Sequence, residues 1–167
     1  WSAATPLSNF EANMDYRDVE DPSIFFTLKA RSDYNEIKKN DNFLVWTTTP
    51  WCIPGNLAIA VGKDIKYIRI RIDQEYYWIA EELVDELGDY EFTEVSKSLG
   101  SELIGGEYIP AYSEFEDEYS NGAFRIIHSD DTNTLAGSGL VSQAPAYGES
   151  DFYALKKMRC VVCAVRR

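Results

Sequence analysis

Short apolar runs alternate with polar stretches bearing Gly and Pro along this chain, and few of the runs are of helical length. Ser23 to Ala30 is dense in β-formers and predicts a strand. Residues 31–42 are charged and polar and predict a loop with room for one helical turn. Phe43 to Thr49 predicts a second strand ending in three threonines, and Leu57 to Val61 a third. From Ile65 to Asp73 isoleucines alternate with Arg69 and Arg71, the period of a strand with one polar face. Asp73-Gln74, before the β-prone run Glu75 to Ala80, predicts a tight hairpin without the usual glycine. Leu83, Val84 and Leu87 fall at the i, i+1, i+4 spacing of a helix that Gly88 would stop. Further on, Tyr90 to Val95 predicts a strand, Leu99 to Ile104 a short helix and Ala123 to His128 a strand, with His128 in a structural role. Leu140 to Ala144 reads as a buried strand stopped by Pro145. Gly148 to Asp151 reads as the opening of a helix that continues through Leu155.

Length and composition narrow the classes. A chain of 167 residues is one domain or one large inserted module. That is long enough to bury roughly 70% of the surface its unfolded form exposes. Hydrophobic residues at 45% and aromatics at 14% supply a core. No run of 18 apolar residues occurs, so no membrane span is expected. The first residues, Trp1 to Pro6, have neither a basic region nor an apolar signal core, and no Met begins the chain; this fits a fragment of a longer protein. With 28 acids against 16 bases the net charge is −12, which excludes strong binding to a long duplex by this chain alone. A nucleic-acid role would be local, at a single-stranded end, or supported by another domain. Residues 113–121 are strongly acidic: a solvated face, or a docking surface for a basic partner. Cys52, Cys160 and Cys163 are too few and too unevenly spaced for a disulfide framework, so the reducing cytoplasm is the simplest setting. The single C-x-x-C pair lacks two further zinc ligands nearby; it belongs with the strand-like run Cys160 to Val165, and no metal is expected.

Two stretches carry candidate chemistry. In Trp46-Thr47-Thr48-Thr49-Pro50-Trp51-Cys52-Ile53-Pro54-Gly55-Asn56, an extended backbone would set threonine hydroxyls on both faces. Pro50 and Pro54 lack a backbone donor and would end the strand and shape the connection. By itself this reads either as a buried strand and turn or as a rigid hydroxyl-lined loop. The second stretch, Gly137 to Phe152, combines two glycines that permit close backbone approach with Asp151 at a helix opening, where the exposed N–H groups favour a carboxylate. No Ser/His/Asp set, no Gly-rich phosphate loop with Lys and no cluster of metal ligands is present. Hydroxyls that orient water, and a carboxylate that holds an ammonium, suit hydrolysis of an amine-bearing substrate by water rather than covalent catalysis.

Both stretches match one family. The Trp-Thr-Thr-Thr-Pro-Trp-x-x-Pro-x-Asn run resembles the threonine-rich motif of the editing domain of isoleucyl-tRNA synthetases. Gly137-Ser-Gly-Leu-Val-Ser-Gln-Ala-Pro-Ala-Tyr-Gly-Glu-Ser-Asp151 resembles the second editing motif of that family, G-T-G-x-V-H-x-A-P-x-x-G-x-x-D. Thr5 to Glu11 and Asp18 to Pro22 are similar to the start of the same insertion, and the resemblance spans about residues 5–155. The related valyl and leucyl domains keep a Thr-Thr-x-Pro core but not the Pro-Trp followed by Pro-x-Asn. The resemblance implies a mixed α+β (α/β) fold: a compact β-barrel with surrounding short helices, inserted into a longer synthetase.

It further implies hydrolysis of the aminoacyl ester of misacylated Val-tRNA(Ile), with no cofactor. The partners would be the 3′ terminal adenosine of the tRNA and the remaining domains of the synthetase. By this carry-over Asp151 grips the α-ammonium, while Thr47, Thr48 and Thr49 line the pocket, contact the adenosine and place water. Trp46 walls the side-chain pocket, Asn56 supports the loop, and Ser142, Gln143, Ala144, Pro145 and Gly148 form the opposite substrate-binding wall. Three positions depart from the family: Ser142 stands for the usual His, Leu135 for an Asp before Gly-Thr-Gly, and Cys52 for a Thr. The first two departures keep a second reading open, a module that binds aminoacyl-adenosine without efficient hydrolysis. A third reading, a plain structural β-domain, requires the two motifs to lie apart.

Overall fold

The structure, a computed structural model, describes residues 22–157. The opening motif before residue 22, and the Cys160–Cys163 pair, lie outside the described residues. Eight strands form one sheet: β1 (Ile24–Lys29), β2 (Asn42–Thr47), β3 (Ala58–Val61), β4 (Lys66–Ile72), β5 (Glu75–Ala80), β6 (Thr93–Leu99), β7 (Arg125–His128) and β8 (Val141–Gln143). The strand order is β6-β4-β5-β2-β8-β3-β7, with β1 paired to β2 off this path. The fold is mixed α+β, and the sheet curls into a half-barrel.

The curl follows from how β2 is shared. β1 pairs antiparallel along all of β2, from Ile24 opposite Thr47 to Lys29 opposite Asn42. A strand has two edges, so β5 and β8 divide the other one. β5 takes the start of β2, with Asn42 opposite Tyr77 and Phe43 opposite Trp78, and β8 takes its end, with Trp46 opposite Val141. The enclosed core is led by Trp78, Tyr67, Tyr108, Phe43 and Phe124, all with under 2% of their surface exposed. One polar knot lies within it. The Asp41 carboxylate, 1% exposed, accepts from Arg69 Nε (2.8 Å), Arg69 Nη2 (2.7 Å), Trp78 Nε1 (3.0 Å) and the Lys38 amide (2.9 Å). At the other end of β4, Tyr67 donates its hydroxyl to Gly139 O (2.7 Å) and accepts from the Gly62 amide (3.1 Å), and burial pushes its phenol well above the ordinary value.

Several sequence expectations shift in the folded chain. Only Thr47 of the threonines ends in a strand. The Pro50–Gly55 connection is a 3-10 helix (η1) rather than an open turn, with Cys52 N–H bonded to Thr49 O (2.9 Å). Pro50 fits the first position of that helix because its missing donor would be unpaired there in any case. Glu81–Leu87 also winds as a 3-10 helix (η2), halted at Gly88 with φ 65°. The hairpin forms as expected, and Asp73 takes the left-handed conformation (φ 54°) that a glycine commonly supplies. β6 starts three residues later than the aromatic run suggested. Its place is set by pairing with β4, Lys66 opposite Leu99, and Tyr90 and Phe92 stay exposed. The helix near residue 100 is a single turn, α1 (Gly100–Leu103). The acidic segment Ser113–Asn121 winds as two short 3-10 pieces (η3) meeting at a kink at Phe115, with no buried residue, as expected of a solvated stretch. His128 is the last residue of β7, as expected. Its Nδ1 is 3.2 Å from Val61 O and its Nε2 2.9 Å from Asp130 Oδ1, a contact that holds the Asp130 carboxyl below the usual carboxylate range.

A candidate site at one edge of the sheet

Topology brings the two motifs together. β2 and β8 are parallel, so their carboxyl ends lie at the same edge of the sheet. β3 is antiparallel to β8 and parallel to β7, so the starts of β3 and β7 reach this edge too. The threonine loop leaves the end of β2, and the segment leading to Asp151 leaves the end of β8. Two close packings fix their approach. A Cβ at Gly137 (φ 81°) would stand 2.6 Å from the Trp46 indole, so only glycine lets that backbone lie under the ring. A Cβ at Gly55, in η1, would meet the Tyr147 ring at 2.7 Å.

The threonines divide by environment. Thr47 is buried (7% exposed), and its Oγ1 accepts from the Thr49 amide at 3.1 Å and lies 3.3 Å from Thr49 Oγ1. This short bonded turn locks the loop as it leaves the strand. Thr48 is exposed, Thr49 half-buried and Trp46 half-buried.

Asp151 lies in the first turn of α2 (Glu149–Lys157) and is half-buried. Its Oδ2 accepts from the Ala144 amide at 2.8 Å, and its Oδ1 has only the neighbouring Ser150 hydroxyl, at 3.4 Å. The Ala144–Gly148 turn that delivers it is closed by Tyr147 N–H to Ala144 O (2.9 Å). Gly148 lies directly beneath the carboxylate: a Cβ there would be 3.0 Å from Asp151 Cγ. Pro145 and Ala144 are buried in this turn. Gln143 is also buried, and its carbonyl accepts from the Leu57 amide at 2.9 Å, tying β8 to the start of β3.

Asn56 does more than support the loop. From the end of η1 its amide reaches three groups: Nδ2 donates to Ala58 O (2.8 Å) and Ser142 Oγ (2.9 Å), and Oδ1 accepts from the Tyr108 hydroxyl (2.5 Å). Tyr108 was not among the residues singled out in the sequence; nothing in its local pattern marks it. Leu135 points to solvent, 89% exposed, so the change from an acid there leaves no hole. Its loop is held instead by the Asn133 side chain on the Leu135 amide (3.0 Å). The buried Ser138 hydroxyl adds a bond from the Leu140 amide (3.3 Å).

An apolar groove of about 340 Å³ between Phe25, Leu44, Tyr77 and Leu87 is lined by neither motif. Among the described residues no helix is long and apolar enough to cross a membrane.

Comparison with known proteins bears on the family and the fold. No protein-family model matches the chain. It is 42% identical over 159 residues to an isoleucine–tRNA ligase of Protochlamydia amoebophila, a match covering 92% of this chain and 15% of that protein. The corresponding enzyme of Bdellovibrio bacteriovorus is 40% identical with the same coverage. The chain thus spans about 15% of the length of these curated relatives. Among solved structures, a leucyl-tRNA synthetase CP1 domain, GlLeuRS-CP1, superposes with a TM-score of 0.67 at 18% identity, covering 82% of this chain and 60% of that one. The editing domain of P. falciparum cytosolic leucyl-tRNA synthetase gives 0.60 at 14% identity, covering 72% and 46%. The chain is therefore homologous to a segment of the isoleucine–tRNA ligases and has the fold of the synthetase editing domains.

Proposed function

We propose that this chain performs post-transfer editing within an isoleucine–tRNA ligase, hydrolysing the ester of valine wrongly attached to tRNA(Ile). One methylene in an apolar pocket is worth only about 1–3 kcal/mol, and isoleucine against valine is the standing illustration of why a second, hydrolytic site is needed. The editing-domain fold supports a synthetase editing function. The observation that carries the assignment to this edge is the Asp151 carboxylate. One oxygen is anchored on the Ala144 amide and the other is left for a ligand, on the same edge as the threonine loop.

In this reading Asp151 Oδ1 accepts from the α-ammonium of the esterified valine by a charge-assisted hydrogen bond. Trp46, backed by Gly137, walls the side-chain pocket. Thr48 and Thr49 present hydroxyls that orient water and contact the terminal adenosine, and Thr47 braces the turn that aims them. Water attacks the ester carbonyl carbon, the bond to the ribose oxygen breaks, and valine and free tRNA leave. The reading invokes no cofactor: water is the nucleophile and the residues named supply the contacts. The net charge of −12 leaves tRNA docking to other domains of the cytoplasmic enzyme.

The test is deacylation of Val-tRNA(Ile) by the intact synthetase. Asp151→Ala is expected to slow it roughly 10- to 100-fold, the value of a lost hydrogen bond to a charged group. An unchanged rate would sink the assignment. A second reading, binding without turnover, is favoured by Ser142 at the position of the family's His. Calorimetry with a non-hydrolysable valyl-adenosine analogue separates the two: binding with no measurable deacylation selects it, and rapid turnover excludes it.

A further inference from the structure

We infer that Tyr108 is a positioning residue that, together with the Ala58 carbonyl, holds the Asn56 amide so that Ser142 is left as a hydrogen-bond donor at this site; the inference rests on the editing reading. The argument is one of donor and acceptor direction. Ala58 O is a backbone carbonyl and can only accept, so the Asn56 amide must turn its nitrogen toward it, at 2.8 Å. Asn56 Oδ1 then faces Tyr108, and the Tyr108 hydroxyl must donate, at 2.5 Å. The remaining Asn56 N–H goes to Ser142 Oγ at 2.9 Å. A serine hydroxyl can accept and donate at once; toward Asn56 it can only accept, so its single proton points elsewhere.

Ser142 is half-buried at the edge where the two motifs meet. One residue before it, Val141 is opposite Trp46 on the parallel β2, and two residues after it comes the amide that anchors Asp151. The freed proton is therefore available to an oxygen of the bound ester, so that a directed serine supplies a donor where the family usually has an imidazole. The far end of the relay is rigid. Tyr108 is fully buried, its ring packs edge-on against Phe124 (centroids 5.9 Å apart, 86° between planes), and its amide bonds Phe124 O at 3.0 Å.

The experiment is a double-mutant cycle in the intact synthetase, read as single-turnover deacylation of Val-tRNA(Ile) together with KM. Tyr108→Phe and Ser142→Ala are each expected to lower the rate about 5- to 10-fold with KM nearly constant, the double variant to equal either single one, and Ser142→Thr to recover most of the rate. Effects that multiply in the double variant, or a Tyr108→Phe enzyme with a lower Tm and an unchanged rate, would overturn the inference. If Tyr108→Phe does not fold, the Ser142 pair decides: equal rates for Ser142→Ala and Ser142→Thr overturn it. An Asp151→Ala arm keeps the two levels apart. If that variant retains the full rate, the editing reading fails; if it is inactive while the cycle is multiplicative, only the relay fails.

Discussion

β2 has a buried carboxylate beside its first residue and a half-buried one near its last, and the two are treated in opposite ways. Asp41 has four donors, three on Oδ2 and one on Oδ1, and is only 1% exposed, while its Arg69 partner is further covered by the Tyr76 ring, 4.0 Å from the guanidinium carbon. Asp151 has one good donor on one oxygen and a long contact on the other. The first arrangement leaves no capacity for a ligand and acts only on folding. The second holds the group in place by one oxygen and leaves the other open. Between these two acids the difference in satisfaction is larger than the difference in charge or burial, and it is the reason Asp151 rather than Asp41 is the candidate for binding a ligand.

Four changes test that contrast, in order of size. Asp41→Ala is expected to cost about 3–5 kcal/mol, because Arg69 is then buried without its partner. The urea midpoint measures this, while deacylation per folded molecule stays as in the parent. Asp151→Asn is expected to shift the midpoint by less than about 1 kcal/mol while removing most of the deacylation rate; a folding loss as large as that at Asp41 would erase the distinction. Gly137→Ala is expected to cost about 1–2 kcal/mol from the left-handed backbone alone, and to displace the Trp46 indole, which tryptophan fluorescence would report. Thr47→Val keeps shape but removes the acceptor for the Thr49 amide, an expected loss of about 1 kcal/mol.

A pH series extends the contrast to a saturated phenol. Burial raises the Tyr67 phenol, so the folded state holds its proton where the unfolded chain has released it. Its stabilising contribution is full below the ordinary phenol value near pH 10 and declines as pH rises through the raised value. Urea unfolding across this range is expected to show the decline, and Tyr67→Phe to reduce it.

Much of the candidate site was legible in the sequence because each motif is contiguous. Trp46 to Asn56 and Gly137 to Asp151 carry their chemistry within short spans, and parallel pairing of β2 with β8 only had to juxtapose them. Most strands were legible for the same reason: β-formers and period-2 runs mark β1, β4 and β5 locally. Features that depend on a distant partner were not. The start of β6 is chosen by β4, which overrode the aromatic run at Tyr90 to Phe92. The winding of Pro50–Gly55 depends on how the chain turns back toward β3 within six residues. Tyr108 is one of eleven tyrosines, and its significance appears only when the chain returns beside Phe124 and aims a hydroxyl at Asn56.

The seating of β8 between β2 and β3 has a kinetic consequence. Trp46 and Val141 are far apart in the chain, yet their pairing fills a gap that two much earlier strands leave between them. During synthesis from the amino end, β2 and β3 emerge first and must each keep one edge unpaired until β8 arrives. Open edges of that kind invite pairing with other chains. The last strand made among the described residues both seals those edges and delivers Asp151 to its place, so closure of this part of the half-barrel and assembly of the candidate site are one folding event.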